Sequence, residues 1–423
     1  MQQPKQVGDY RHYEYCRFCM STKLVPVIDL GYMPLAGGFI PLEHAPQLLA
    51  VEKFFPLHIH FCKNCFLLQV VDIIAQETLF TEYFYRSSTI TTLVEYFTQI
   101  AREVTQTVSH ADPFVVEIGA NDGSFISALC AQNIRAVGVD PAENIVVDAQ
   151  KAGLPIELGY FNRSIAKHIV EKHGRADAVY SFNTLAHIED MHEVVEGIKL
   201  LLKPDGYLTF EIHYVGSIIQ ELQYDMIYHE HQYYYSLLTL EKFFASHGMS
   251  IWKAVKTATH AGSLQISVQI SATGTRAVDD SVATLHKAEI ENGFDKLSTY
   301  KQLGKKIAQT KIDLLKLLKK LRSQGATLAG YGASGRGTII SNYCGLDEKY
   351  FDYIIDDSPY KQNTLTPGVH LPVRSAEILA TDKRPDYVVL FAWSFAREIA
   401  QRNTKYLKNG GKFIVPLPQV AIL

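Results

Sequence analysis

The 423-residue chain is 47% hydrophobic and 20% charged, with a formal net charge of −3. That balance suits roughly two to four ordinary globular domains and leaves no strongly basic footprint for nucleic acid. No apolar run approaches the roughly 18–20 residues that span a membrane, and the polar stretch 1–15 lacks a signal-peptide core, so a cytoplasmic protein without membrane or nucleic-acid partners is expected.

In chain order, the first unit is marked by cysteine spacing. Four of the six cysteines pair as Cys16-x-x-Cys19 and Cys62-x-x-Cys65. In a reducing compartment such pairs favour metal over disulfide. Each pair can present two thiolates to a tetrahedral zinc ion, and a closed four-cysteine site is structural because no position remains for substrate. Residues 1–80, with prolines and glycines between short strands, are expected to form this zinc unit. An amphipathic helix is expected over 93–108.

From Pro113 strands and helices alternate. Strands are expected at 114–118, 136–140, 178–183 and 207–212, with a late one at 263–270. Such alternation implies a parallel sheet with helices on both faces. The charged, leucine-rich stretch 279–322 reads as a helical connector with one buried face. A second α/β unit follows, with strands at 327–332, 353–356, 387–391 and 412–415. The fold class is therefore α/β: a zinc-binding domain (1–80), a Rossmann-like domain (81–275) and a second Rossmann-like domain (276–423).

Three constellations carry chemistry. The loop Glu117-x-Gly119-x-x-x-Gly123 leads from strand to helix. Its small residues let the backbone approach a ligand, but it lacks the Gly-x-Gly-x-x-Gly spacing for a pyrophosphate. Asp140, at the next strand end, can accept both ribose hydroxyl protons. This set suits S-adenosylmethionine, which has no phosphates. The second is the strand-end histidine His187 together with Tyr228-His229-Glu230-His231 and the tyrosines at 233–235. Imidazoles move protons near neutral pH, and a neighbouring carboxylate can orient one of them. The third is the loop 330–337, where Gly330, Gly332 and Gly335 match dinucleotide spacing and Arg336 adds a cation, with Lys361 further on. Amides at a helix start plus a guanidinium suit a diphosphate, and the spacing admits NAD equally.

The order of Cys-x-x-Cys pairs, the 117–123 loop, Asn183-x-x-Ala186-His187, Tyr228-His229-Glu230-His231-x-x-Tyr234, His260-Ala261-Gly262-Ser263 and the Gly-Tyr-Gly-Ala loop resembles the sugar C-methyltransferases of deoxysugar biosynthesis over nearly the whole chain. The resemblance implies methylation at carbon 3, or in some members carbon 5, of a nucleotide-diphosphate 4-keto-6-deoxysugar. It implies a structural zinc domain, and substrate held between the methyltransferase core and the C-terminal domain. By position, His231 matches the base, Glu230 its orienting partner, and Tyr228 and His187 polar groups around the sugar. Tyr83 or Tyr85 matches an aromatic near the cofactor, beside Glu117, Gly119, Asn121, Asp140 and Asn183. Tyr234, His260, Arg336 and Lys361 fall to the substrate. Arg336 stands where the family usually has lysine, and Ala261 and Gln265 replace a glycine and an arginine. Two other functions stay open on the sequence: a zinc-bearing RNA methyltransferase, opposed by the acidic balance, and an NAD-dependent oxidoreductase using the late loop, opposed by the intact Glu117, Gly119 and Asp140 set.

Overall fold

The computed structural model describes residues 3–79, 86–108, 110 and 112–423. Its centre is a seven-stranded sheet: β1 (Phe114–Ile118), β2 (Arg135–Asp140), β3 (Ile156–Leu158), β4 (Ala176–Phe182), β5 (Leu202–His213), β6 (Met249–Thr257) and β7 (Ser263–Ile270), in the order 3-2-1-4-5-7-6. β1 and β4 are buried along their whole length, as central strands covered on both faces must be. Six strands run one way. β7 inserts antiparallel between β5 and β6, so the purely parallel sheet expected from alternation is corrected to a mixed one. The two hairpin strands came without an intervening helix, and antiparallel pairing needs none.

The zinc unit is a four-stranded antiparallel sheet whose own strands are Leu24–Pro34, Phe54–Cys62 and Leu68–Val70. Its fourth strand is Tyr233–Tyr234, from the tyrosine-rich segment that follows β5. A smaller sheet joins Lys5–Val7 and Tyr10–His12 to Asp72–Ile74. The C-terminal unit has five parallel strands ordered Val373–Ser375, Ile354–Asp356, Leu328–Tyr331, Tyr387–Leu390 and Lys412–Val415, edged by antiparallel Ala421–Ile422.

The expected connector is two helices, Asp280–Glu291 and Leu297–Ser323. The first packs on β6, and the second lies along the zinc-unit strand Leu24–Pro34. That second contact is close: a Cβ at Gly304 would come within 2.3 Å of the Val27 carbonyl. A short bridge of Ile40–Pro41 with Thr364–Leu365 also ties the zinc unit to the C-terminal one. Among the described residues, no helix is long and apolar enough to cross a membrane.

Candidate functional site

A cavity of about 1040 Å³ opens over the carboxyl ends of β1, β2, β4 and β5, where sheets of this kind place their ligands. Two strand ends are shaped by left-handed residues. Gly119 (φ +78°) must be glycine for a second reason, because a Cβ there would lie 2.0 Å from Thr184 Oγ1. Asn121 and Asn183 also take positive φ, 49° and 52°, a conformation asparagine tolerates.

At this end Asp140 Oδ2 accepts from the Asn121 amide (2.8 Å) and Oδ1 from the Ala142 amide (2.9 Å). Each oxygen keeps a lone pair for a ligand hydroxyl. Burial raises the Asp140 carboxyl, and the two amides pull it back. Asn121 turns its Oδ1 to the Ser87 amide at 3.0 Å. Glu117 lies beneath the loop and off the cavity. It is buried, its Oε2 has no partner among the described residues, and burial pushes its carboxyl well up. The arginines on the cavity wall, Arg11 and Arg17, stand in the zinc unit, so this end suits a cofactor that carries ribose hydroxyls and no phosphate. Tyr83 and Tyr85 lie outside the described residues.

The other end gathers His187, Tyr228, Glu230 and His231. The His187 and His231 rings lie edge to face at 4.9 Å. His231 Nδ1 sits 2.8 Å from the Met226 carbonyl, which only accepts, so Nδ1 carries the proton in the neutral ring. Nε2 is left as the acceptor, and the Tyr228 hydroxyl donates to it at 2.9 Å. The expected partnership of Glu230 with His231 is corrected accordingly: a main-chain carbonyl and a phenol orient the imidazole. Glu230 instead stands as a separate acid on the cavity wall, pushed up to about 7 by burial. Burial holds His187 down at about 4, so it is neutral at pH 7.

His229 is buried on the opposite side of the turn. Its Nε2 lies 3.3 Å from the Pro56 carbonyl and its ring packs edge-on against Phe55, both in the zinc unit. The two histidines of the motif are thereby separated: His231 faces the cavity and His229 anchors the turn.

Besides Glu117, three expected residues are not brought to this cavity. Asn183 lines it, but Tyr234 is buried away from it. Arg336 Nε bonds Asp225 Oδ2 at 2.7 Å, and Lys361 Nζ donates to the Ala333 carbonyl at 2.5 Å. Both cations expected on a diphosphate thus already have partners within the protein. The side chain of His260 lies outside what is described. Sequence reasoning missed the wall supplied by the zinc unit: Arg11, Tyr13 and Tyr15 line the cavity, with Arg11 and Tyr13 both bonded to Glu189 at 2.5 Å. It also missed His213, at the end of β5. The strand-end position was the available signal for His213.

The four cysteine sulfurs lie within 4.8 Å of one another, with Cys16–Cys65 at 3.4 Å and Cys19–Cys62 at 3.6 Å. A tetrahedron of zinc–sulfur bonds near 2.3 Å has edges of about 3.8 Å, so the cluster fits zinc with little adjustment.

Comparison with known proteins agrees along the chain. Residues 16–80 match a family model for a zinc binding domain, 94–254 one for a methyltransferase domain, and 258–418 one for a C-methyltransferase C-terminal domain. The C-methyltransferase NovU of Streptomyces niveus is 31% identical over 414 residues, covering 98% of this chain and 97% of NovU. Magnesium protoporphyrin IX methyltransferase of Synechocystis PCC 6803, solved with SAH, is 15% identical over 41% of this chain and 82% of its own, with a TM-score of 0.33. A S-adenosylmethionine-dependent methyltransferase from Clostridium acetobutylicum is 12% identical over 43% and 92%, also at 0.33.

Proposed function

The chain belongs to the C-methyltransferase family, whose members pair a zinc binding domain with an S-adenosylmethionine-dependent methyltransferase domain, and we propose that it methylates the carbon beside the C4 ketone, carbon 3, of a nucleotide-diphosphate 4-keto-6-deoxysugar through an enolate. The observation that carries this reading is the tautomer of His231: Nδ1 holds the proton on the Met226 carbonyl and Nε2 is the accepting nitrogen, on a ring that lines the same cavity as Gly119 and Asp140.

Carbon is a poor nucleophile until it bears charge. A ketone on the neighbouring carbon permits that, because the enolate spreads the charge onto oxygen. His231 Nε2 takes the proton from the carbon, and its Nδ1–H stays on the Met226 carbonyl, which stabilises the imidazolium that forms. The Tyr228 hydroxyl, released from Nε2 as the proton arrives, turns to the enolate oxygen as a donor. Neutral His187 supports that oxygen from the other ring. S-Adenosylmethionine, when bound, supplies an electrophilic methyl group. Asp140 would hold its ribose and the Gly119 loop would seat it beside the substrate, where the enolate carbon takes the methyl as the methyl–sulfur bond breaks and the sulfur leaves as a neutral thioether. Cys16, Cys19, Cys62 and Cys65 would hold zinc as a closed four-thiolate site, in a structural role. The reading places no phosphate on Arg336 or Lys361.

The test is solvent-deuterium exchange of the substrate's α proton without methyl donor. Wild-type protein should exchange it, and His231→Ala should lose about 10²–10⁴-fold, the usual range for a general base. Exchange at the wild-type rate in His231→Ala would remove His231 from the role.

A further inference from the structure

The segment 225–232 carries His231, and both of its ends are gripped from outside the central domain. At the front, Asp225 is wholly buried. Its Oδ2 accepts from Arg336 Nε at 2.7 Å and from Trp393 Nε1 at 2.8 Å, and Arg336 also reaches Ser394 Oγ at 3.3 Å. The next residue is Met226, whose carbonyl fixes His231 Nδ1. At the back, Gln232 is wholly buried. Arg17 Nη1 donates to its side-chain oxygen at 2.6 Å, and Nη2 donates to its carbonyl and to that of Val70, both at 3.1 Å. Gln232 in turn donates through Nε2 to the His187 carbonyl at 3.1 Å and through its main-chain amide to the Ala186 carbonyl at 2.8 Å. One residue therefore joins the His231 segment to the His187 loop.

Arg17 is itself held at several points. It lies between the two cysteines of the first pair, its guanidinium is 4.1 Å from the Tyr233 ring centroid, its amide bonds Gln69 Oε1 at 3.2 Å and its carbonyl accepts from His192 Nε2 at 3.0 Å. Both grips are ionic or bidentate and largely dry, the arrangement in which arginine fixes geometry best. Neither arginine bonds His231 itself.

We infer that Arg17 and Arg336 are positioning residues: two arginines, one from the zinc unit and one from the C-terminal unit, clamp the ends of the segment 225–232 and set where His231 meets the substrate. This gives the outer domains a part in the chemistry. The zinc cluster fixes the knuckle that carries Arg17, and the second glycine loop fixes Arg336 at the start of the helix Gly335–Cys344. The inference rests on His231 as the base.

The test uses the full chain with Gln232→Met, which removes the side-chain acceptor for Arg17 Nη1 and the donor to the His187 carbonyl, and with the double variant Asp225→Asn/Arg336→Met. The double variant drops both charges together so that no buried ion is left unpaired. Turnover and α-proton exchange should each fall about 10- to 100-fold, the cost of a small misplacement. The Michaelis constant for the ketosugar, the calorimetric dissociation constant for S-adenosylmethionine and the zinc content should stay within about twofold, since ground-state binding is untouched. A raised Michaelis constant at unchanged turnover would overturn the clamp and make Arg336 a substrate ligand. Full-rate exchange in Gln232→Met, while His231→Ala is inactive, would overturn it and leave the base standing. Wild-type exchange in His231→Ala would instead fell the base assignment.

Discussion

Glu230→Gln should change how the protein's stability depends on pH. Burial on the cavity wall pushes the Glu230 carboxyl from an ordinary 4.5 up to about 7. Below about pH 4.5 the group is protonated in both folded and unfolded chains and contributes no difference. As pH rises, the unfolded chain releases the proton first, so folding loses stability between about pH 4.5 and 7 and keeps that deficit above. At about 1.36 kcal/mol per pH unit, the deficit is about 1 kcal/mol at pH 5 and about 3 kcal/mol at pH 8. The second figure is an upper bound because the side chain is only partly enclosed. Glutamine keeps the shape and cannot ionise. Relative to wild type, the variant should therefore gain about 2 kcal/mol between pH 5 and pH 8, read as the change in the difference between the two proteins' denaturation midpoints. Any fixed cost of glutamine cancels between the two pH values. A pH-independent gap would refute the burial argument. Wild type gaining on the variant as pH rises would show an unseen cation paired with Glu230.

Three other predictions follow from the same geometry. Chelation or Cys62→Ser should lower the melting temperature and solubility, because a structural zinc site couples binding to folding; zinc-free fresh protein melting at the same temperature would contradict it. Asp140→Asn should weaken S-adenosylmethionine binding about 10- to 100-fold by calorimetry, the size of a lost charged hydrogen bond, with the zinc content unchanged. His229→Ala should lower the melting temperature through the lost Pro56 and Phe55 contacts, yet leave α-proton exchange per folded molecule near wild type; loss of exchange with unchanged melting would transfer the base role to His229.

Much of the architecture was legible because it is local. The cysteine pairs are set by spacing within four residues, and the strand at 114–118 reads as an unbroken apolar run into a glycine turn. The short strand Ile156–Leu158 was not, since three residues give no period to read. The site divides the same way. The cluster of His187, Tyr228, Glu230 and His231 is recognisable from residue types. The true partner of the His231 ring is a carbonyl, and every residue has one. The sequence therefore favoured the adjacent carboxylate, which the backbone turns aside. The separation of His229 from His231 depends on which element each side of the turn meets. The Arg11–Glu189 and Arg336–Asp225 contacts join residues 178 and 111 positions apart, and no local pattern marks them. Arg336 and Lys361 show why the motif alone does not fix their role: a glycine turn with a nearby cation looks the same whether the charge meets a phosphate or a buried aspartate.

The most direct measurement is the position of a labelled methyl group. Incubated with ¹³C-methyl S-adenosylmethionine and a nucleotide-linked 4-keto-6-deoxysugar, the protein should give a product whose label is bonded to the carbon beside the ketone, seen by carbon–carbon coupling in NMR. A label on a sugar oxygen, or transfer only to RNA, would contradict carbon alkylation through an enolate.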